Sequence, residues 1–470
     1  MLRNVLDATV VLRCVNKERL PSKRLDTFIL PSFILLSLIP WQRRDQGCVF
    51  IQFMYFPEMA IVCQRLHSER IEDIPSTLRS KLQDLDLRDR VKSGDTVAVA
   101  VGSRGITNID ILVFEIVSFL KGLGLKPFIV PAMGSHGGGT IEGELAVLAG
   151  LRITEATMGV PLATGTDVVE VGRIRENIPV LMDKGAAFAD HIVVVNRIKP
   201  HTKFNASVES GLTKMLTVGL GKRAGATKYH QAAIRYTFRI LQDAASLILK
   251  NCSVLFGLAI LEDGYGHTAS LDIVQPDDWF KIEPFLLEKA KSMIPKIPFD
   301  NLDVLIIDEI GKDVSGIGMD SNITGRHRDI VGDFFTYPHI KRIFVRNLSR
   351  KTAGNGNGIG LADFTTNRLV EALNLTTTYT NALAALSPEK AAIPVHFETD
   401  RECIEACLNM IGDILPEAAR IVRIKNTSTL DVLEVSRALE KEIASNPDLG
   451  MVTGWRPMEF DDHGNLKDEF

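Results

Sequence analysis

From Asp95 onward, short apolar runs alternate with amphipathic segments, and that order restricts the fold more than any other feature of the chain. Thr96–Val101 (TVAVAV) and Lys126–Pro131 (KPFIVP) read as buried strands, each a short apolar stretch bounded by turn residues. Between them Thr107–Gly124 carries helical apolar spacing, with Asn108 as the expected cap and Gly122 and Gly124 at its end. Thr140 is expected to cap a helix around Leu145–Leu151, and Asp190–Arg197 (DHIVVVNR) is the clearest strand of all. Strand–helix–strand–helix order requires parallel pairing with right-handed crossovers. The expected class is α/β.

A length of 470 residues is too great for one compact core. A long helix is expected over 227–250, a strand over 254–261 and a helix over 278–293. The proline-rich stretch 294–301 (IPKIPFDN) reads as a linker. After it, Leu302–Asp308 restarts the pattern, followed by a strand at 341–347, helices at 367–373 and 400–414, a strand at 419–425 and a helix at 429–444. The expectation is two α/β domains with mainly parallel sheets, 59–293 and 302–470, with a site in the cleft between them. Ligands of open α/β sheets bind beyond the carboxyl ends of the strands.

Residues 1–58 read as an amino-terminal extension, with Met54 or Met59 as a possible true start. Its apolar run, Phe28 to Trp41, contains Pro31 and Pro40, and a spanning helix needs roughly 20 apolar residues. No membrane association is expected. A net charge of −4 argues against a dedicated nucleic-acid binder. The six cysteines lack the paired spacing of a zinc site or disulfide framework, which suits a reducing, cytoplasmic setting.

The candidate chemistry sits in loops after strands. VGSRGITN (Val101–Asn108) offers backbone N–H groups at a helix start plus Arg104, an anion site or an ordinary turn with a solvated arginine. In MGSHGGGT (Met133–Thr140) three glycines follow His136, as close ligand approach requires, and a histidine so held can act as a general base. Pro200–His201 follows the third strand, flanked by Lys199 and Lys203. His201 there is a second base or a capping residue. Glu209–Gln231 is the most specific segment: Gly211, Gly219, Gly221 and Gly225 surround Lys214, Lys222 and Arg223, and His230 follows on a helix. Its spacing is not that of a P-loop. One imidazole holds no transition metal tightly alone, so a metal here would bring its own ligands. In the second domain, DEIGKDVSGIGMDSNITGRH (Asp308–His327) supplies Lys312 as its site candidate.

Taken together, these loops resemble the lactate racemases that use a nickel-pincer nucleotide. The matching order is Arg104, His136, Pro200–His201, Lys214 and His230, with sixteen residues from Lys214 to His230. The resemblance implies that Lys214, with Gly211 and Ser103, holds the nucleotide and that His230 binds nickel. It further implies His136 and His201 as acid/base groups on opposite faces of a 2-hydroxy acid, with Arg104 and Lys312 clamping the carboxylate. Racemisation or epimerisation by hydride transfer is the implied reaction, and the cofactor's biosynthesis enzymes are the implied partners. The pattern departs from the family at Val101, in HTKFN, and in IGKDVSGIGMD, all where substrate would lie.

Overall fold

A computed structural model describes residues 56–467 except 104, 135 and 330–336. Two principal sheets organise the described residues. The strands are β1 (Glu58–Gln64), β2 (Thr96–Val101), β3 (Lys126–Pro131), β4 (Val168–Ile174), β5 (Ile178–Asp183), β6 (His191–Arg197), β7 (Val254–Glu262), β8 (Thr268–Val274), β9 (Asn301–Ile310), β10 (His339–Leu348), β11 (Phe364–Thr366), β12 (Val395–Phe397), β13 (Ile421–Ile424), β14 (Val432–Ser436) and β15 (Leu449–Met451).

The first sheet runs β3-β2-β6-β7-β8. Its pairings are parallel except the last, with Val97 opposite His191 in the β2–β6 register. Alternation along β2 explains why both faces are covered: Ala98 and Ala100 enter one apolar core, while Val97, Val99 and Val101 enter another on the opposite face. Helices α1 (Ile74–Gln83), α2 (Ile109–Gly122), α3 (Ile141–Gly150), α4 (Lys222–Tyr236), α5 (Ile240–Asn251) and α6 (Trp279–Met293) accompany this sheet. The hairpin β4–β5 stands apart as a two-stranded sheet.

The second sheet runs β12-β11-β10-β9-β13-β14-β1-β15. Its first five strands pair in parallel and the rest antiparallel. The α/β class holds, with mixed, largely parallel sheets. The boundary expected at residue 59 is crossed, however, because β1 pairs with β14 and β15 at the far end of the chain. Met59 and Val62 are buried there, so the segment is committed to the second sheet by its apolar face.

Two expected helices are replaced. The helix expected over 227–250 is broken at Thr237, which adopts φ 56°, and Phe238 turns inward to stack on Phe204 at 4.0 Å. Burial of that ring outweighs continuing the helix, and α4 and α5 are the result. The helix expected over 429–444 is strand β14 followed by short helical turns. Leu433 and Val435 are fully buried between β13 and β1, and a run this short fits either period. Asn108 does precede α2, but its side chain makes no capping bond and its backbone is left-handed. Thr140 caps α3 as expected, accepting from the Gly143 N–H at 3.1 Å. No helix among the described residues is long and apolar enough to cross a membrane.

Candidate active site at the strand ends

The chemistry-bearing loops all leave the carboxyl ends of β2, β3, β6 and β9. After β3, Gly137, Gly138 and Gly139 take φ values of 64°, 71° and 66°, a conformation that side-chain-bearing residues rarely adopt. Gly143 lets α3 approach this loop, since a Cβ there would lie 1.8 Å from the Gly137 carbonyl oxygen. The loop carries His136 exposed to solvent, with its Nδ1 against the hydroxyl of half-buried Ser103 from the neighbouring β2 loop. Arg104 lies outside the described residues.

The same loop is bonded to the lysine segment, for the Gly134 N–H donates to the Gly219 carbonyl at 3.2 Å. That segment is one irregular helical passage rather than a series of loops. A single turn, Leu212–Lys214, leads into a π-turn over Met215–Gly219, closed by the Leu220 N–H donating to the Met215 carbonyl at 2.9 Å. Single π-turns inside helices occur often at functional sites. The start of the passage is fixed by Glu283 of α6, whose buried carboxylate accepts from the Thr213 N–H at 3.1 Å and from the Thr213 hydroxyl. A Cβ on Gly211 would stand 2.3 Å from that carboxylate, which explains the glycine. Burial pushes the Glu283 carboxyl up to about 7. Lys214 is half-buried just beyond.

Lys222 is engaged in buried contacts within the fold. Its buried ammonium donates to the Pro131 carbonyl at 2.7 Å and to Glu144 at 2.8 Å, with Asp183 at 3.6 Å. It ties the end of β3, helix α3 and helix α4 together. Burial raises the Glu144 carboxyl, against the lowering effect of Lys222.

His201 lies deep between the two sheets' lobes, yet its ring keeps some solvent contact. Its ring stacks on Phe204 at 4.4 Å, and its Nδ1 accepts the Lys203 N–H at 3.0 Å. His230 projects from the middle of α4, edge-on to Phe238 at 6.2 Å, and its Nδ1 is buried without a hydrogen-bond partner. Desolvation is the main cause lowering both imidazoles. Lys214, His230, Lys199 and Lys390 further depress His201 well below its usual value. Lys203, Lys214 and Lys390 act on His230, which falls to about 4. Cationic side chains thus depress both rings, while the Glu209 carboxylate accepts the His201 backbone N–H at 2.7 Å. The structure brings His201, Lys214 and His230 together; His136 occupies the end of β3, with β2 between it and β6.

Lys312 follows β9 with its ammonium donating to the Gly316 carbonyl at 2.8 Å and its N–H to the Thr352 hydroxyl at 3.1 Å. The sequence reading missed Asp329, Ser387 and Lys390 of the second lobe. No local motif marks them, and only the approach of the lobes brings them to the His201 loop. Among the described residues no group of three or more His, Cys, Asp or Glu side chains could hold a metal ion.

Residues 61–238 match the family model of the lactate racemase N-terminal domain. Over that region the chain is similar to the lactate racemases. Among solved structures, the lactate racemase apoprotein from Thermoanaerobacterium thermosaccharolyticum matches at 13% identity and a TM-score of 0.47, covering 79% of this chain and 99% of that one. No curated protein matches the sequence.

Proposed function

We propose that the protein is a racemase or epimerase of a 2-hydroxy acid that uses a nickel-pincer nucleotide. The observation that carries this reading is the grouping of His201, Lys214 and His230, with Lys199, Lys203 and Lys390 also acting on the two imidazoles. Such a field favours an anionic ligand such as a carboxylate or a nucleotide phosphate. Further support comes from the family match over residues 61–238.

The residues fit the cofactor on two counts. His230 has a buried, unpartnered ring nitrogen and a depressed proton affinity, so it stays neutral and able to ligate near neutral pH. No other ligand cluster competes among the described residues, as suits a nickel ion that brings its own soft donors. Lys214, with Gly211 and Ser103, would hold the nucleotide, and His230 would complete the nickel coordination. When bound, the nucleotide supplies a hydride acceptor and donor. His136 and His201 move the proton at the substrate hydroxyl, one for each enantiomer. Arg104 and Lys312 orient the carboxylate so that C2 stays aimed while the keto acid turns. The free thiols of buried Cys403 and Cys407 agree with a reducing compartment, for which we propose the cytoplasm.

The test is to co-express the chain with the enzymes that build the nucleotide and measure nickel, protein mass and interconversion of 2-hydroxy acid enantiomers. Stoichiometric nickel and added mass, both lost in Lys214→Ala and His230→Ala, are expected together with racemisation. Protein that takes up neither nickel nor nucleotide would overturn the reading and favour a non-catalytic binder of a phosphorylated ligand or a nickel-free transferase.

A further inference from the structure

Three consecutive residues of the His201 loop are gripped by the second lobe. The Asn322 side-chain amide donates to the His201 carbonyl at 3.4 Å, and the Ser321 hydroxyl donates to the Thr202 carbonyl at 2.7 Å. The Lys203 ammonium, buried to 7% exposure, donates to the Ala385 carbonyl at 2.5 Å and the Ser387 hydroxyl at 2.8 Å, with Asp329 at 3.4 Å. The Ser387 hydroxyl in turn donates to Asp329 at 2.6 Å, and Asp329 meets the buried Lys390 ammonium at 2.6 Å. The Lys203 side chain is thus pinned in the second lobe at one end. At the other end its own backbone N–H donates to Nδ1 of His201.

That last bond has a chemical consequence. An imidazole nitrogen that accepts an N–H carries no proton, so a neutral His201 holds its proton on Nε2. We propose that Lys203, through Asp329 and Ser387, is a positioning residue by which the second lobe fixes both the place and the tautomer of His201. This rests on His201 being an acid/base group, as above. The lobe that lacks the Pro-His motif then determines which ring nitrogen can face the substrate: while Nδ1 is bonded the cleft meets an N–H donor, and His201 can take the hydroxyl proton only once the Lys203 N–H is released. Any movement of the second lobe away from the loop would release Lys203, and with it the N–H that sets the ring. Lys390 supports the arrangement from the far side of Asp329, since one carboxylate there serves two buried ammonium groups.

The test uses the full chain, labelled with ¹⁵N-histidine and free of cofactor, so it does not depend on racemase activity. Long-range proton–nitrogen spectra at neutral pH report the tautomer of each ring, and the His201 signals are those lost in His201→Gln. The wild-type spectrum is expected to show His201 as the single Nε2–H form. Lys203→Met and Ser387→Ala are expected to give mixed tautomers, and Lys203→Arg to restore the single form. Ser387→Ala removes only one hydroxyl, so it keeps the test valid if Lys203→Met fails to fold. A wild-type Nδ1–H tautomer, or a single Nε2–H form retained in folded Lys203→Met or Ser387→Ala, would overturn the proposal. Either result would leave the racemase reading standing on the nickel and turnover measurements.

Discussion

The His136 loop and the His201 loop hold the same residue type at the ends of β3 and β6, on either side of β2, yet they hold it by opposite means. His136 rides exposed on three left-handed glycines, and its ring is met by Ser103 of its own lobe. His201 is enclosed, stacked on Phe204 and bonded by Lys203, and its loop is gripped by the second lobe. One histidine is placed by local backbone conformation and the other by tertiary contact. A two-base reaction on this scaffold would therefore draw on one base fixed within its own lobe and one that depends on how the lobes meet.

The strongest way to break the comparison is to cut the buried tie that joins the His136 loop to the lysine segment. Lys222→Met leaves Glu144 and Asp183 buried without their cation, and should cost about 3–5 kcal/mol in chemical denaturation. A loss below about 1 kcal/mol would show that the pair is dispensable. Next come the histidines themselves. His136→Ala and His201→Ala should each slow racemisation by roughly 10²-fold or more while nickel and nucleotide remain bound. Unchanged turnover in either variant would remove that residue from the mechanism.

A third effect separates the loops by pH. Desolvation, with Lys203 and Lys214 beside it, holds the His230 imidazole near 4 in the folded protein, below its ordinary 6.5. The unfolded chain therefore binds the extra proton first as the pH falls. Stability from this group is complete above about pH 6.5 and is lost progressively toward pH 4, by roughly 3 kcal/mol at most. Urea titrations of cofactor-free protein should show that loss, and His230→Gln should flatten it; an equally steep profile in the variant would assign the effect elsewhere. The smallest expected effect is at Ser103→Ala. Losing the hydroxyl against His136 should lower kcat/KM about 10-fold, as one lost hydrogen bond does, without altering the His201 tautomer.

Much of this site was legible in one dimension. TVAVAV and KPFIVP became β2 and β3 with the expected ends, and the glycine run after His136 adopts the positive φ that its composition anticipated. These follow from local rules, namely apolar periodicity and the freedom of glycine. Lys222 illustrates the opposite case. In sequence it is one of several cations in a glycine-rich segment, but in the fold it is a buried structural ion pair whose partners lie on α3 and at the end of β5. Thr237 likewise breaks a helix that the sequence would continue, because Phe238 has a ring to stack on 34 residues earlier in the chain.

The sequence by itself determined the alternating architecture, the strand ends at which chemistry gathers, and the order Arg104, His136, His201, Lys214, His230, because each depends on neighbours within a few residues. Only the tertiary structure decided that β1 belongs to the second sheet, that Lys222 is structural, and that Asp329, Ser387 and Lys390 stand behind His201. Those assignments depend on pairings and buried charges between residues far apart in the chain. Such contacts form only once the apolar faces of both sheets have been covered.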